Sequence, residues 1–395
     1  MTTALKKRTY TLQFWLLCLS SYLFFASFNM IIPELPAYLT SLGGGEYKGL
    51  IISLFTLTAG LSRPFSGKLT DKVGRIPVMV FGASICFVIG FLYPLITSVV
   101  GFFLLRFLHG FSTGFKPTGT VAYVADIVPI NRRGEAMGLA SAFGTMGMAS
   151  GPAIGSEIAI RFSLEAMFQT SSFVAILSIL ILIGMKETLA SPEKFKLSHL
   201  KIGAQDIYEK DVLLPSVIMM LSVFSFGIVL TVIPDFSEHI GMNNKGTFFT
   251  AFTLASLAVR FFAGKASDRF GRMEVLLGAL LLYVIGMVVI GLAETKLMFF
   301  VGAIIFGIGT GMNSPTIFAW ATDIAKVQFR GRAMATVFIA LEVGIMFGAF
   351  LSGLIYNNDS DNFLITFWTG AGVALIGFTI LLFFIITKRP YYVKN

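Results

Sequence analysis

Five ionisable side chains lie inside long apolar stretches of this chain: Arg63, Arg106, Lys116, Arg260 and Glu342. A charge within hydrocarbon costs at least ~2.5 kcal/mol, so such residues face a polar interior or pair with one another. Arg63 and Arg260 stand one turn before charged segments, and their long side chains are expected to snorkel to the surface. Glu342 is ten residues past Arg332, which is ~15 Å along a helix and too deep to snorkel. Lys116, ten residues past Arg106 and followed by Pro117, is equally deep. A buried carboxylate near a cation can exchange a proton as its surroundings alternate, because desolvation and the neighbouring charge act on it in opposite directions. Glu342 is therefore expected to be a proton-coupling acid, with Arg106 or Lys116 as its electrostatic partner. The alternative is a static Glu342–Lys116 pair. His109 lies one turn beyond Arg106. It can titrate near neutrality, although a hydrogen-bonded packing role fits it as well. Glu34, Glu157 and Asp235, at the outer ends of their stretches, read as interfacial or extracellular.

The elements that hold these residues are written in the composition. Of 395 residues 55% are hydrophobic and 13% charged, with a mean hydropathy of +0.82. An ordinary soluble domain carries about 25% charged residues. A membrane-spanning helix needs ~20 apolar residues. Runs of that kind are read at 12–32, 47–66, 76–96, 98–123, 134–160, 164–185, 212–234, 246–264, 273–293, 297–320, 333–356 and 362–387. The expectation is an all-α membrane protein of twelve transmembrane helices. Apart from Arg63, Arg106, Lys116 and Arg260 within runs, 22 of the 30 Lys and Arg fall on one side, and four fall in connections or at run ends on the other, namely Lys48, Arg161, Lys245 and Lys296. Cytoplasmic loops collect such residues, so both termini are expected in the cytoplasm. The net charge of +9 is spread between apolar runs and forms no nucleic-acid-binding stripe. Cys18 and Cys86 fall within runs and read as small apolar filler. Lys6, Lys7 and Arg8 precede a run that continues past Met30 without a cleavage site, so the first helix is expected to be retained.

The chain also repeats itself. Residues 63–75, RPFSGKLTDKVGR, return at 260–272 as RFFAGKASDRFGR (260 − 63 = 197). Asp126 and Asp323 keep that offset (323 − 126 = 197), as do Arg133-Gly134 and Arg330-Gly331. Two six-helix halves are expected, residues 1–186 and 212–395, joined by a polar cytoplasmic linker at 187–211 that has room for a short interfacial helix. Parallel repeats of this kind enclose a substrate path between them in one large class of transporters.

At this point the chain resembles the major facilitator superfamily over nearly its whole length, and within it the 12-helix drug:proton antiporter group. The loop signature GxLxDxxGR is met by Gly67, Leu69, Asp71, Gly74 and Arg75; the second copy keeps Gly264, Asp268, Gly271 and Arg272, with Ala266 in place of Leu. Asp71 is read as standing just before a helix start, where the helix dipole favours an anion. The resemblance implies that Asp71, Arg75 and Asp126, with Asp268, Arg272 and Asp323 in the second copy, latch the halves in the outward-facing state and release as the cavity opens inward. The alternative is that they only fix topology and turn geometry. Span four resembles the RxxQGxG signature, with His109 at the Gln position and Ser112 for a Gly, and implies a proton-linked Arg106. Span five, with Gly147, Gly151, Pro152 and Gly155, resembles the exporter signature GxxxGPxxGG, departing from it at Ser156. Glycines at that spacing also serve plain helix packing. Gly344 and Gly348 keep the offset in span eleven, but Ala349 replaces the Pro.

The family places spans one, four, seven and ten around the cavity. The polar candidates there are Tyr22, Asn29, Thr113, Lys116, Ser222, Ser225, Thr310, Asn313 and Ser314, and the 41 phenylalanines can supply apolar wall. The two basic residues of span four leave room for an anionic substrate. The expected function is export of small amphipathic molecules or metabolites against protons by alternating access. The alternative is a facilitator, importer or lipid-translocating member without proton coupling at Glu342. No GxxxxGK[ST] phosphate loop is present, so a gradient is the expected driving force. The histidines at 109, 199 and 239 form no metal or nucleophile motif, so neither an enzyme nor a metal or cofactor is expected. A sensor or scaffold would be expected to carry an appended soluble domain. The expected partners are a small-molecule substrate, protons and the bilayer, with a monomer in the cell membrane.

Overall fold

The structure is a computed structural model that describes residues 10–129, 132–203, 208–326 and 330–392. Lys6, Lys7, Arg8 and Lys394, and the side chains of Arg133, Arg330, Lys388 and Arg389, lie outside the described residues. Among the described residues are twelve helices of 18 residues or more. They are α1 Leu12–Ile31, α2 Lys48–Lys72, α3 Arg75–Leu92, α4 Val99–Ile127, α5 Arg133–Arg161 and α6 Leu164–Ile183. They continue with α7 Leu213–His239, α8 Thr247–Phe270, α9 Arg272–Gly291, α10 Lys296–Ile324, α11 Arg330–Tyr356 and α12 Phe363–Tyr392.

Eight of them are long and apolar enough, by length and composition alone, to cross a membrane. A ninth, α8, passes the same test when its two segments, bent by 50° between Arg260 and Phe262, are taken as one span, and α2, α4 and α5 fall short of it. Arg63 of α2, Arg106 and Lys116 of α4, and the glycines with which α5 packs on α1 lower the apolarity of these three helices. Large apolar side chains such as Leu61, Phe91, Leu180 and Phe383 are exposed on the outside, as lipid contact requires.

Packing repeats as the sequence does. In the first half α1 lies against α5 and α6, α4 against α2 and α3, and α3 against α6. In the second half α7 lies against α11 and α12, α10 against α8 and α9, and α9 against α12. Among the described residues the halves meet most extensively through α2 with α11 and α5 with α8, with smaller contacts such as α2 with α7. Helix starts are set locally: the side chains of Ser98, Ser163 and Thr295 accept from Gly101, Ala166 and Met298 N–H, satisfying donors that the first turn leaves free.

The glycine stripe of α5 is a packing surface. A Cβ on Gly151 would lie 2.5 Å from Ala26 O of α1, and Cβ atoms on Gly147 and Gly155 would collide with Tyr22 O and Met30 O. Gly344 and Gly348 of α11 meet Met220 O and Phe224 O of α7 in the same way. The two backbones of each pair therefore touch directly.

In 187–211 the described residues form only short 3-10 turns, including Leu197–Leu200, in place of the expected interfacial helix. The linker instead hangs on both halves. Lys72 pairs with Glu193 at 3.0 Å, Lys68 donates to Lys201 O at 2.6 Å, and Arg332 pairs with Glu209 at 2.6 Å.

Candidate functional site

A cavity of about 630 Å³ lies between the halves. Its wall is largely apolar, with Phe25 and Phe28 of α1, Ile52 and Phe55 of α2, Val223, Phe226 and Leu230 of α7, and Phe338, Leu341 and Ile345 of α11. It reaches one end of the bundle through Gly67, Thr70 and Asp71 of α2, Ala122 and Ala125 of α4, and Met334 of α11. The opposite end is shut by contacts between the halves. Lys48 forms an ion pair with Asp235, Asn358 donates to Gly45 O at 2.6 Å, and Gly49 and Gly353 meet backbone to backbone. Around Pro152, Thr250 donates to Ala149 O at 2.6 Å and Asn244 to Ala153 O at 3.0 Å. Thr250 of α8 and Asn244, in the turn that precedes α8, cover carbonyls on either side of Pro152, whose ring cannot donate to the helix.

Glu342 faces the cavity, but its partner is neither Arg106 nor Lys116. Arg63 Nη2 lies 2.9 Å from Glu342 Oε1, with both side chains largely buried, and its guanidinium stacks 4.8 Å from the Phe338 ring centre. Arg63 and Arg260 do not snorkel to the surface; both point into the cavity. The cost of burying Arg63 is offset by a carboxylate from the other half, which no sequence distance reveals. A static Glu342–Lys116 pair is likewise ruled out. Lys116 is fully buried within the first half, where it donates to Ser21 Oγ at 2.8 Å and lies 5.2 Å from the Phe24 ring centre.

Arg106 does reach the cavity wall. It donates to Ile51 O at 2.8 Å and to the Tyr93 hydroxyl at 3.3 Å, and stacks 4.7 Å from the Phe55 ring centre. His109 packs behind it, with Nε2 3.5 Å from Cys86 Sγ and its ring edge-on to Phe55, and stands outside the cavity wall. Of the polar candidates, Asn29, Thr113, Thr310 and Ser314 line the cavity. Tyr22, Lys116, Ser222, Ser225 and Asn313 do not, because their polar atoms turn to neighbouring helices. Tyr22 receives Ser150 at 3.2 Å, Ser222 receives Asn313 at 2.8 Å, and Ser225 donates to Gly370 O at 3.0 Å.

At the cavity mouth Arg75 Nε lies 2.9 Å from Asp126 and its Nη1 3.3 Å from Asp71. Arg272 repeats this with Asp323 at 2.9 Å and Asp268 at 2.6 Å. Each cluster stays within its own half. Asp71 does not precede a helix as expected; it sits in the last turn of α2 and is exposed. The start of α3 is served by Glu187 of the linker, which accepts from Arg75 N at 3.1 Å and Ile76 N at 2.9 Å. Gly74 and Gly271 turn the chain with φ of 136° and 104°, a region that favours glycine. Glu34 is buried and accepts from Ser156 at 2.7 Å, not interfacial as its position in the run implied.

Sequence reasoning missed the cavity role of Arg63 and Arg260, the Glu187 cap and the Lys48–Asp235 closure. The signal for the first was present: an arginine at the same place in both copies, inside an apolar run.

Two matching bundles with a cavity between them and ionisable groups in its wall define a membrane transporter rather than an enzyme. The family model of the Major Facilitator Superfamily matches residues 17–243 and 215–395, and the chain belongs to that family as a multi-pass transporter of the cell membrane. It is 26% identical over 325 residues to the staphylopine export protein of Staphylococcus aureus, covering 78% of this chain and 80% of that one. It is 27% identical over 352 residues to the multi-drug resistance efflux pump PmrA of Streptococcus pneumoniae, covering 83% and 86%. A solved D-xylose-proton symporter superposes with a TM-score of 0.76 at 15% identity, over 94% of this chain and 97% of that one, and shares the fold.

Proposed function

We propose that the protein is a proton-coupled exporter of small amphipathic molecules that works by alternating access between two six-helix halves, residues 1–186 and 212–395, linked through 187–211. All twelve long helices span the bilayer as a monomer, with both termini and the basic loops in the cytoplasm. The cavity mouth at Asp71 then faces the cytoplasm, and the structure is the inward-open state. In that state the charge clusters around Arg75 and Arg272 are released from the opposite half, in keeping with a latch that engages when the mouth closes. Export is supported by the names of the relatives and by the glycine-proline face of α5.

The observation that carries the reading is the Arg63–Glu342 pair, which joins the two halves at 2.9 Å on the cavity wall. A carboxylate held by a cation of the opposite half changes its surroundings whenever the halves move, which couples proton occupancy to the cycle. The test is proton release by the purified protein in weakly buffered detergent, across cationic, neutral and anionic candidates, for wild type and Glu342→Gln. Release on ligand binding that disappears in Glu342→Gln is expected. Equal ligand binding to both without release removes the coupling role and leaves a facilitator.

A further inference from the structure

The duplication that builds the two halves also duplicates one arginine and omits its acid. Arg63 of α2 and Arg260 of α8 are equivalent positions (260 − 63 = 197), and so are Glu342 of α11 and Thr145 of α5 (342 − 145 = 197). Each arginine reaches to the facing helix of the other half. Arg63 meets Glu342 at 2.9 Å, whereas among the described residues Arg260 Nη1 meets two hydroxyls and no carboxylate, Ser141 Oγ at 3.3 Å and Thr145 Oγ1 at 3.4 Å. Both are long for hydrogen bonds to a guanidinium. Arg260 Nε is buried with no hydrogen-bond partner among the described residues; Arg63 Nε is too, but there the charge is matched. Arginine stays protonated in proteins, so the charge of Arg260 is not relieved by losing a proton.

Arg260 lies on the cavity wall and also on an adjoining crevice of about 210 Å³ beside α1, α4 and α5. Among the described residues of the cavity interior, Arg63, Arg106 and Arg260 stand against one carboxylate, Glu342, while Asp71 at the mouth pairs with Arg75. The interior is thus an apolar chamber with surplus positive charge and a half-satisfied guanidinium at the seam.

We propose that Arg260 is the docking point for the oxyanion, a carboxylate or phosphate, of an amphipathic organic anion whose apolar body lies along the phenylalanine wall. The anion takes the place that Glu342 fills on the opposite side, and the Arg fork suits its two oxygens. This rests on the reading of the cavity as the transport site and adds the charge class of its substrate.

The test compares three probes of matched shape, 4-phenylbutyrate, 4-phenyl-1-butanol and 4-phenylbutylamine, binding to the full chain in neutral phosphatidylcholine nanodiscs by calorimetry. Wild type is expected to bind the carboxylate ~10-fold or more tighter than the alcohol, the scale of a charge-assisted hydrogen bond. Arg260→Gln is expected to erase that preference and Arg260→Lys to keep part of it. Thr145→Glu, which rebuilds the missing acid, is expected to erase it too without lowering the melting temperature, so misfolding does not account for the loss. Anionic phosphatidylglycerol in the nanodisc separates two sources of the oxyanion. Weakened phenylbutyrate binding in wild type but not in Arg260→Gln marks a lipid headgroup, and unchanged binding marks a free anion. The proposal is overturned if the carboxylate has no advantage in wild type, or if the advantage persists in Arg260→Gln or Thr145→Glu. Such a failure leaves the exporter reading standing, since that reading is tested through proton release at Glu342.

Discussion

Breaking the Arg63–Glu342 pair one side at a time should cost more than breaking both. At 2.9 Å and with side-chain exposures of 13% and 8%, the pair is little screened by solvent. With an effective dielectric of about 20, the attraction at that separation is on the order of 6 kcal/mol, offset in part by desolvation of both groups. Removing one partner strands the other as a buried charge, for which the usual loss is ~3–5 kcal/mol. At roughly 2 °C per kcal/mol for a large domain, Arg63→Gln and Glu342→Gln should each lower the melting temperature by about 6–10 °C. The double substitution leaves no stranded charge and should lose much less than the sum. The assay is thermal unfolding of the four proteins in one detergent, read as a double-mutant cycle. If the two losses simply add, to within ~0.5 kcal/mol, the groups are not coupled and the account of the cavity charge is wrong.

Four further outcomes are expected. Gly155→Ala and Gly348→Ala, whose new methyl groups would strike Met30 O and Phe224 O, should each lose ~1–3 kcal/mol, whereas Gly138→Ala, which meets nothing within 4 Å, should be neutral in the same melts. Gly67→Leu also enters open space at the mouth, so it should melt like wild type yet fail to transport if the mouth must close; full transport would show that the halves never meet there. Asp235→Asn removes the ion pair to Lys48 and should raise labelling, by an impermeant thiol reagent from outside, of a cysteine placed at Thr56; unchanged labelling would show that this pair does not hold the closed end. The Glu193 carboxyl is held below the usual carboxylate range by its hydrogen bond to Lys72, then by that charge. A depressed carboxyl keeps its tether above the ordinary pKa and loses it as pH falls through the depressed value, so a spin label at Ser191 should gain mobility only below pH ~4.

The long helices were legible in the sequence because runs of ~20 apolar residues have few other uses. The 197-residue echo likewise announced the repeated packing of α1–α6 and α7–α12. The partners were not legible. Arg63 and Arg106 are both arginines within apolar runs, and only the way α2 lies against α11 decides that Arg63 reaches Glu342 while Arg106 turns to the Ile51 carbonyl. Lys116 reads as a cavity residue from its depth, but its rotation about the helix axis points it at Ser21 in the same half. Depth is a property of one helix; direction across the cavity depends on two. Glu187 was hidden for a related reason, since a loop residue that caps a helix over a hundred positions away leaves no periodic trace.

The places where the two halves touch backbone to backbone, Gly49 on Gly353 and Gly246 on Pro152, lie together at the closed end. They make that end a fulcrum and the helices running from it lever arms. From Gly49 to Lys72 is 72 − 49 = 23 residues, roughly 35 Å of helix, so a tilt of about 10° at the fulcrum would swing the mouth by some 6 Å while the glycine contacts barely shift. As long as that end stays sealed, the mouth can therefore widen or narrow without breaking the glycine contacts, and side chains larger than glycine there would prop the two halves apart.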